Sequence, residues 1–124
     1  MPAYSFKERF IPLIKNGSKT QTIRRKRKGQ AKPGDTVYLY YGMRTKWCTK
    51  IGEGICTKVE EISIQQNGVV RINGKKMDWV QKQALSNADG FQNWEKMFRW
   101  WNQTHLLPFT GDIIYWQLKS EKFF

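Results

Sequence analysis

Two cysteines and one histidine are all that 124 residues offer toward a thiolate or imidazole metal site. A structural zinc site draws four ligands from those two residue types. No C-x-x-C pair occurs either, so the sequence implies neither a resident metal nor another cofactor. Cys48 and Cys56 read as two reduced thiols packed in or near strands. No apolar run approaches the roughly 20 residues that span a bilayer. The opening MPAYSFKERF lacks the apolar core of a signal peptide. The expectation is therefore a cytoplasmic protein without a membrane partner. Internal repeats, low-complexity tracts and linkers are also missing, and the length suits one domain over 1–124.

Acidic residues are the remaining scarcity: 10 Asp and Glu against 22 Lys and Arg, for a net charge of +12. Such an imbalance suggests a polyanionic partner, most simply nucleic acid. No basic amphipathic helix stands out, which argues against an anionic membrane surface. The charge is also clustered, in the run RRKRK from Arg24 to Lys28. What the chain does have is aromatic mass. Six Trp and a 15% aromatic share, within 40% hydrophobic residues, point to a core built from large rings.

The spacing of apolar residues outlines the elements. Ser5 and Glu8 form an S-x-x-E capping box that predicts a helix, with Phe6, Phe10, Leu13 and Ile14 recurring at helical spacing. Pro12 limits or kinks that helix, and Asn16-Gly17 ends it. Lys19 to Arg24 then leaves it extended. RRKRK reads as a solvated loop, and Lys32 to Asp35 as a turn. Val37, Leu39 and Tyr41 alternate along a strand. A strand pair is expected from about Cys48 to Ile64, with Gly52 and Gly54 marking a bend or bulge. Asn67-Gly68 and Asn73-Gly74 are hairpin signals around a short strand, Val69 to Ile72. Asp78 caps a helix reaching about Asn87. Another helix runs from about Phe91 to His105, with Phe91, Trp94, Phe98 and Trp101 on one face. Asp112 to Lys119 is a closing strand that points Ile114, Trp116 and Leu118 inward. This order predicts an α+β fold, a small β-barrel of short, mostly antiparallel strands with flanking helices.

The stretch GSKTQTIR, Gly17 to Arg24, breaks the alternation expected of a half-buried strand. It carries two cations, three hydroxyls and an amide around one large apolar side chain. It resembles the G-x-K-x-x-T-x-R signature of the ASCH domain family, of the bacterial or phage type. Pro33-Gly34-Asp35 resembles that family's turn before a strand. Ala88-Asp89-Gly90-Phe91 resembles its A-[DE]-G-F segment, and Phe109 to Trp116 its final strand. The resemblance implies a PUA-like barrel with a cleft at one side, and association with RNA. Some small members of the family resemble amidohydrolases that deacylate N4-acylated cytidine, and others are ribonucleases. The resemblance places the hydrolytic trio on Lys19, Thr22 and Asp89, the last at a position the family fills with Glu, one methylene longer.

Read from the residues themselves, a buried Lys19 could serve as a base, the Thr22 hydroxyl as a nucleophile and the Asp89 carboxylate as a proton carrier. Arg24 could bind phosphate in bidentate fashion. Each has a plainer role. Lys19 reads equally as a surface cation, Thr22 as a strand former, Arg24 as the partner of a carboxylate, and Asp89 as the N-cap of the following helix. In a regular strand Lys19 and Thr22 face opposite ways, so a shared cleft requires irregular backbone after Gly17. Arg25, Lys26, Arg27 and Lys28 supply a positive loop beside that cleft, which Lys32, Arg44 and Lys46 extend. Tyr40, Tyr41 and Trp47 either stack unpaired bases or pack on the barrel. Three functions follow. One is a binding module for RNA or single strands. Another is a metal-independent hydrolase acting on a modified nucleoside or on RNA. The third is a small basic interaction protein.

Overall fold

In chain order the computed structural model, which describes residues 2–119, has strand β1 (Ala3–Phe6), a 3-10 turn (Glu8–Phe10), helix α1 (Ile11–Lys15) and strands β2 (Gln21–Arg25) and β3 (Thr36–Tyr41). There follow β4 (Thr49–Ile64), β5 (Val70–Ile72), β6 (Lys75–Lys76), helices α2 (Trp79–Ala88) and α3 (Trp94–Thr104), and strand β7 (Phe109–Leu118). The fold is mixed α+β. Its seven strands form one curled sheet, a half-barrel organised on β4.

β4 pairs antiparallel with β7 from Gly54 opposite Leu118 to Ile64 opposite Phe109. β3 pairs with its first half and β5 with its last residues. β7 carries β2 on its other edge, and β3 carries β1 in the parallel direction. The ends of the curl, β1 and β2, share no ladder. Side chains bridge the gap instead. Arg24 Nη2 donates to Ser5 O at 2.7 Å, and Arg27 Nη2 to Ala3 O at 3.0 Å. The closed barrel expected from the sequence is thus a half-barrel whose seam is made by two arginines.

Two elements differ from the sequence reading. The Ser5/Glu8 box opens no helix. Tyr4 and Phe6 alternate inward along β1, and burying those two rings outweighs the local capping signal. Helix α1 begins only at Ile11, with Pro12 in its first turn, where the missing N–H costs nothing. Likewise the pair of strands expected between Cys48 and Ile64 is one strand of 16 residues. It turns nowhere, but its register shifts twice: against β3 beside Gly52, where Leu39 faces Gly52 and Tyr40 faces Lys50, and against β7 between Cys56 and Lys58. Gly54 is there because a Cβ would stand 3.1 Å from Gln117 O and 3.2 Å from Trp116.

The core is built from side chains of the sheet and of α3. Trp94, Met97 and Trp101 are the buried face of that helix. Val37, Leu39, Ile62, Ile64, Ile113 and Ile114 complete the core from the sheet. Each such side chain contributes about 1.5–3 kcal/mol by leaving water. The helix starts at Trp94, three residues later than expected, because Asn93 caps it by accepting from Lys96 N at 2.9 Å. β2 and β7 meet most closely at Gly111, where an added Cβ would stand 2.3 Å from Arg24 O and 2.6 Å from the Phe109 ring. Gly111→Ala is therefore expected to lose about 1–3 kcal/mol in urea denaturation. Gly52→Ala, whose Cβ would meet only Leu118 at 3.7 Å, should lose far less. Equal losses would contradict this account of the β2–β7 contact.

Candidate functional site

The signature stretch is extended but irregular where it begins. Lys19 N donates to Leu13 O and Thr20 N to Ala88 O, both at 2.9 Å, so these two residues tie the end of α1 to the end of α2. The regular ladder starts only at Gln21. This off-ladder segment lets Lys19 and Thr22 line one cavity despite their spacing.

Asp89 reaches the same cavity from α2. That helix ends with Gly90 N donating to Asn87 O at 3.1 Å and Phe91 N to Ser86 O at 2.9 Å, the bonds of a Schellman motif. The motif needs a left-handed residue, and Gly90 has φ +95°. Asp89 is consequently the C-cap of α2 and not the N-cap of α3, a role that belongs to Asn93. Its carbonyl is free to accept from Lys19 Nζ at 2.6 Å, with Oδ1 3.6 Å from the same nitrogen. Gln21 Nε2 also faces Oδ1, at 3.4 Å. Lys19 and Asp89 are 3% and 5% exposed, so the ion pair lies out of water. The cation also benefits from the helix C-terminus and from the Phe10 ring, 4.7 Å away.

Thr22 and Arg24 share the next face of β2. Arg24 Nε donates to Thr22 Oγ1 at 2.9 Å. The guanidinium also lies 4.9 Å from the Phe6 ring.

Burial dominates the titration of all three charged groups. It lowers Lys19 from its usual value, against the pull of Asp89. It raises Asp89, against Lys19 and the Gln21 hydrogen bond. It lowers Arg24. In each case burial shifts the balance toward the uncharged form.

The cavity has a volume of about 390 Å³. Phe6, Phe10, Phe91 and Trp100 wall it, and buried Lys19, Thr22 and Asp89 with half-buried Arg24 supply its polar surface. Among the basic residues, Arg25 lies at its edge, 5.5 Å over Phe109. Lys26 is drawn away to Asp112 and Glu61, at 2.9 and 3.1 Å. Arg27 lies over Tyr4, and Lys28 is exposed in the loop. Lys32 flanks the Pro33-Gly34 turn, and Arg44 and Lys46 sit on the loop between β3 and β4, where Lys46 covers the exposed Trp47. None of these last residues lines the cavity. Tyr40 and Tyr41 are half-buried on β3.

Sequence reasoning missed Gln21, Trp100 and His105. Gln21 stood inside the quoted stretch, and an amide in a strand was the signal. No group of three or more Cys, His, Asp or Glu is placed to hold a metal among the described residues. Nor is any helix there long and apolar enough to cross a membrane. The chain matches no protein-family model, no curated protein and no solved structure.

The buried pair sets a double-mutant test. Lys19→Met or Asp89→Asn alone leaves its partner buried without an opposite charge and is expected to cost about 3–5 kcal/mol. The double variant should recover most of that loss in urea titrations. The sign with pH follows from linkage. Asp89, raised above 3.8 in the fold, binds its proton better when native, so its contribution to stability falls as pH rises through that window. Lys19, lowered below 10.5, releases its proton earlier when native, so its contribution rises with pH through that window. Wild type minus double variant should therefore show a trough between the two limbs. A flat difference would contradict the assignment.

Proposed function

We propose that the chain binds RNA or another single-stranded nucleic acid, and that the cavity beside β2 receives one unpaired base. The observation that carries this is the coincidence of aromatic walls (Phe6, Phe10, Phe91 and Trp100) with a buried set of directional polar groups, next to a cationic loop. Flat rings stack on aromatic side chains, and single-strand recognition relies on such stacking plus hydrogen bonds to base edges. Thr22, Asp89 and Lys19, which line the cavity, offer donors and acceptors of the kind a base edge requires. Arg25, Arg27 and Lys28, which unlike Lys26 have no carboxylate partner among the described residues, supply charge for the backbone without choosing sequence. A PUA-like, ASCH-type cleft is the fold-family form of this reading, and the cell's cytoplasm its setting.

A second reading rests on one observation, the burial of Lys19, which favours its neutral and therefore basic form. In this reading Lys19, Thr22 and Asp89 hydrolyse an N4-acylated cytidine or an RNA linkage without metal. Lys19 Nζ would then leave the Asp89 carbonyl and turn to the Thr22 hydroxyl.

Fluorescence anisotropy with labelled single-stranded RNA, duplex RNA and heparin, across a salt series, tests the first reading. Single strands should bind best, with log Kd rising linearly in log salt. Replacing Arg27, Lys28 and Lys32 together by Gln should reduce that slope by about 2. Equal binding of heparin and both RNA forms would favour the basic interaction protein instead. The same samples run on denaturing gels, with N4-acetylcytidine as a small substrate, test the second reading. Products formed by wild type and absent with Thr22→Val would establish hydrolysis, and intact substrates would remove it.

A further inference from the structure

The exposed end of the cavity has a chemistry of its own. Lys7, Arg25, Thr104 and His105 line it, on three different segments: the residue after β1, the end of β2, and the end of α3. His105 is the only histidine of the chain. Its ring is clamped among Trp101 at 4.3 Å, Trp100 at 5.3 Å and Phe109 at 6.1 Å. The two cations are likewise held over rings, Arg25 over Phe109 and Lys7 at 6.0 Å over Trp100. Neither has a carboxylate within 4 Å among the described residues. Counted over the whole lining, four cations (Lys7, Lys19, Arg24 and Arg25) meet one carboxylate, Asp89, and that one is committed to Lys19. Trp101 adds a buried indole N–H without a hydrogen-bond partner among the described residues. Such a donor costs about 1–3 kcal/mol while unmet.

A neutral ligand would leave this charge uncompensated. A carboxylate would answer it with two oxygens, but the ring-walled interior behind it calls for a flat group attached to the anion. A phosphate joined to a base satisfies both ends at once, and guanidinium, ammonium and imidazole are all phosphate donors. We propose that Lys7, Arg25 and His105 form a phosphate seat at the cavity's exposed end, so that the ligand is a nucleotide unit, with its base inside, and not a free nucleoside. The inference rests on reading the cavity as a base pocket.

Proton linkage gives it a second signature. Burial, with Arg25, Lys7 and Arg24, lowers His105 below its usual value, so the empty site holds it neutral near neutral pH. A phosphate beside the ring reverses that balance, so binding takes up a proton and tightens as pH falls. Asp89, facing the cavity from the α2–α3 connection, and Lys19 and Arg24, facing it from the β2 segment, are the other charged groups there. A diester is the proper ligand for this measurement, because its own charge does not change in that range.

The experiment is calorimetric titration of the full chain with the four ribonucleosides, their 5′- and 3′-monophosphates, and a trinucleotide of the best base. Wild type should bind a phosphorylated form at least about tenfold tighter than the nucleoside. The arm that gains (5′, 3′ or strand) identifies the source of the phosphate. In Lys7→Gln/Arg25→Gln, with both positions at the surface and folding checked by thermal melt, the ratio should shrink to within about threefold. Trinucleotide affinity in wild type should rise from about pH 8 to pH 5.5, and His105→Gln should flatten that rise. Nucleoside and nucleotide binding alike in wild type, or a ratio that survives the double substitution, would overturn the seat while sparing the base pocket. Binding of none of these ligands would overturn both.

Discussion

The contact between Lys19 and Asp89 is where three separate parts of the chain are made to agree. The end of α1 fixes the Lys19 backbone, the end of α2 presents the Asp89 carbonyl, and β2 begins two residues later. An ammonium in a buried site must recover its lost hydration from fixed groups. Here it does so from a carbonyl, a carboxylate oxygen and two aromatic faces. If α2 stopped a residue earlier or later, its last carbonyl would point elsewhere and the cation would be stranded. The Gly90 turn that sets this stopping point lies against Phe10, where an added Cβ would come within 3.0 Å. Helix ending, strand start and cavity wall are therefore one constraint. A pair of well-packed aliphatic side chains would satisfy the fold as well or better, so the charge is not required by packing alone.

Acid scarcity has a structural counterpart. With 22 cations and 10 acids, most basic side chains have no carboxylate to meet. Aromatic rings take that place. Arg9 lies over Phe10 and Phe91, Arg24 over Tyr4 and Phe6, and Arg27 over Tyr4. A ring face offers about 0.5–2 kcal/mol to a cation and fixes its position, yet it does not neutralise it. The result is positive charge held in place without being neutralised. A carboxylate partner, as Lys26 has in Asp112, holds a cation equally well but cancels its attraction for an anion. Rings therefore serve both halves of the proposed site, as base platforms inside and as cation rests at the edge.

The sequence was most legible where the signal was local and most misleading where a distant partner decided. The Asp78 cap, the Asn73-Gly74 turn and the alternation of Val37 with Leu39 each rest on neighbours a few residues apart, and each is found. The Ser5/Glu8 box is local too, but the parallel pairing of β1 with β3 is not, and it decided the outcome. Gly52 and Gly54 look like turn residues in isolation. Only β7, more than 50 residues on, shows why a bare backbone is needed beside Trp116. The site divides the same way. Lys19, Thr22 and Arg24 were visible because their stretch breaks strand alternation, and Asp89 only because Ala88 to Phe91 resembles a family segment. Trp100 and His105 were not, because on a helix rich in Trp nothing local separates a cavity wall from a core residue.

The hydrogen bond from Arg24 to Thr22 bears on what the cavity can do as it stands. A guanidinium does not give up its proton under ordinary conditions, so the bond has one direction, with the hydroxyl oxygen accepting. That leaves the Thr22 proton free to be offered to a ligand acceptor, while one oxygen lone pair is already occupied by a cation. Such an oxygen is a better recognition element than nucleophile, since attack requires electron density that the guanidinium withdraws. The amine that the hydrolytic reading would use as base, Lys19 Nζ, is meanwhile engaged with the Asp89 carbonyl. Hydrolysis needs both contacts to open, whereas recognition needs neither to change. The resting geometry therefore suits the proposed recognition better than hydrolysis, which would begin with Lys19 leaving Asp89.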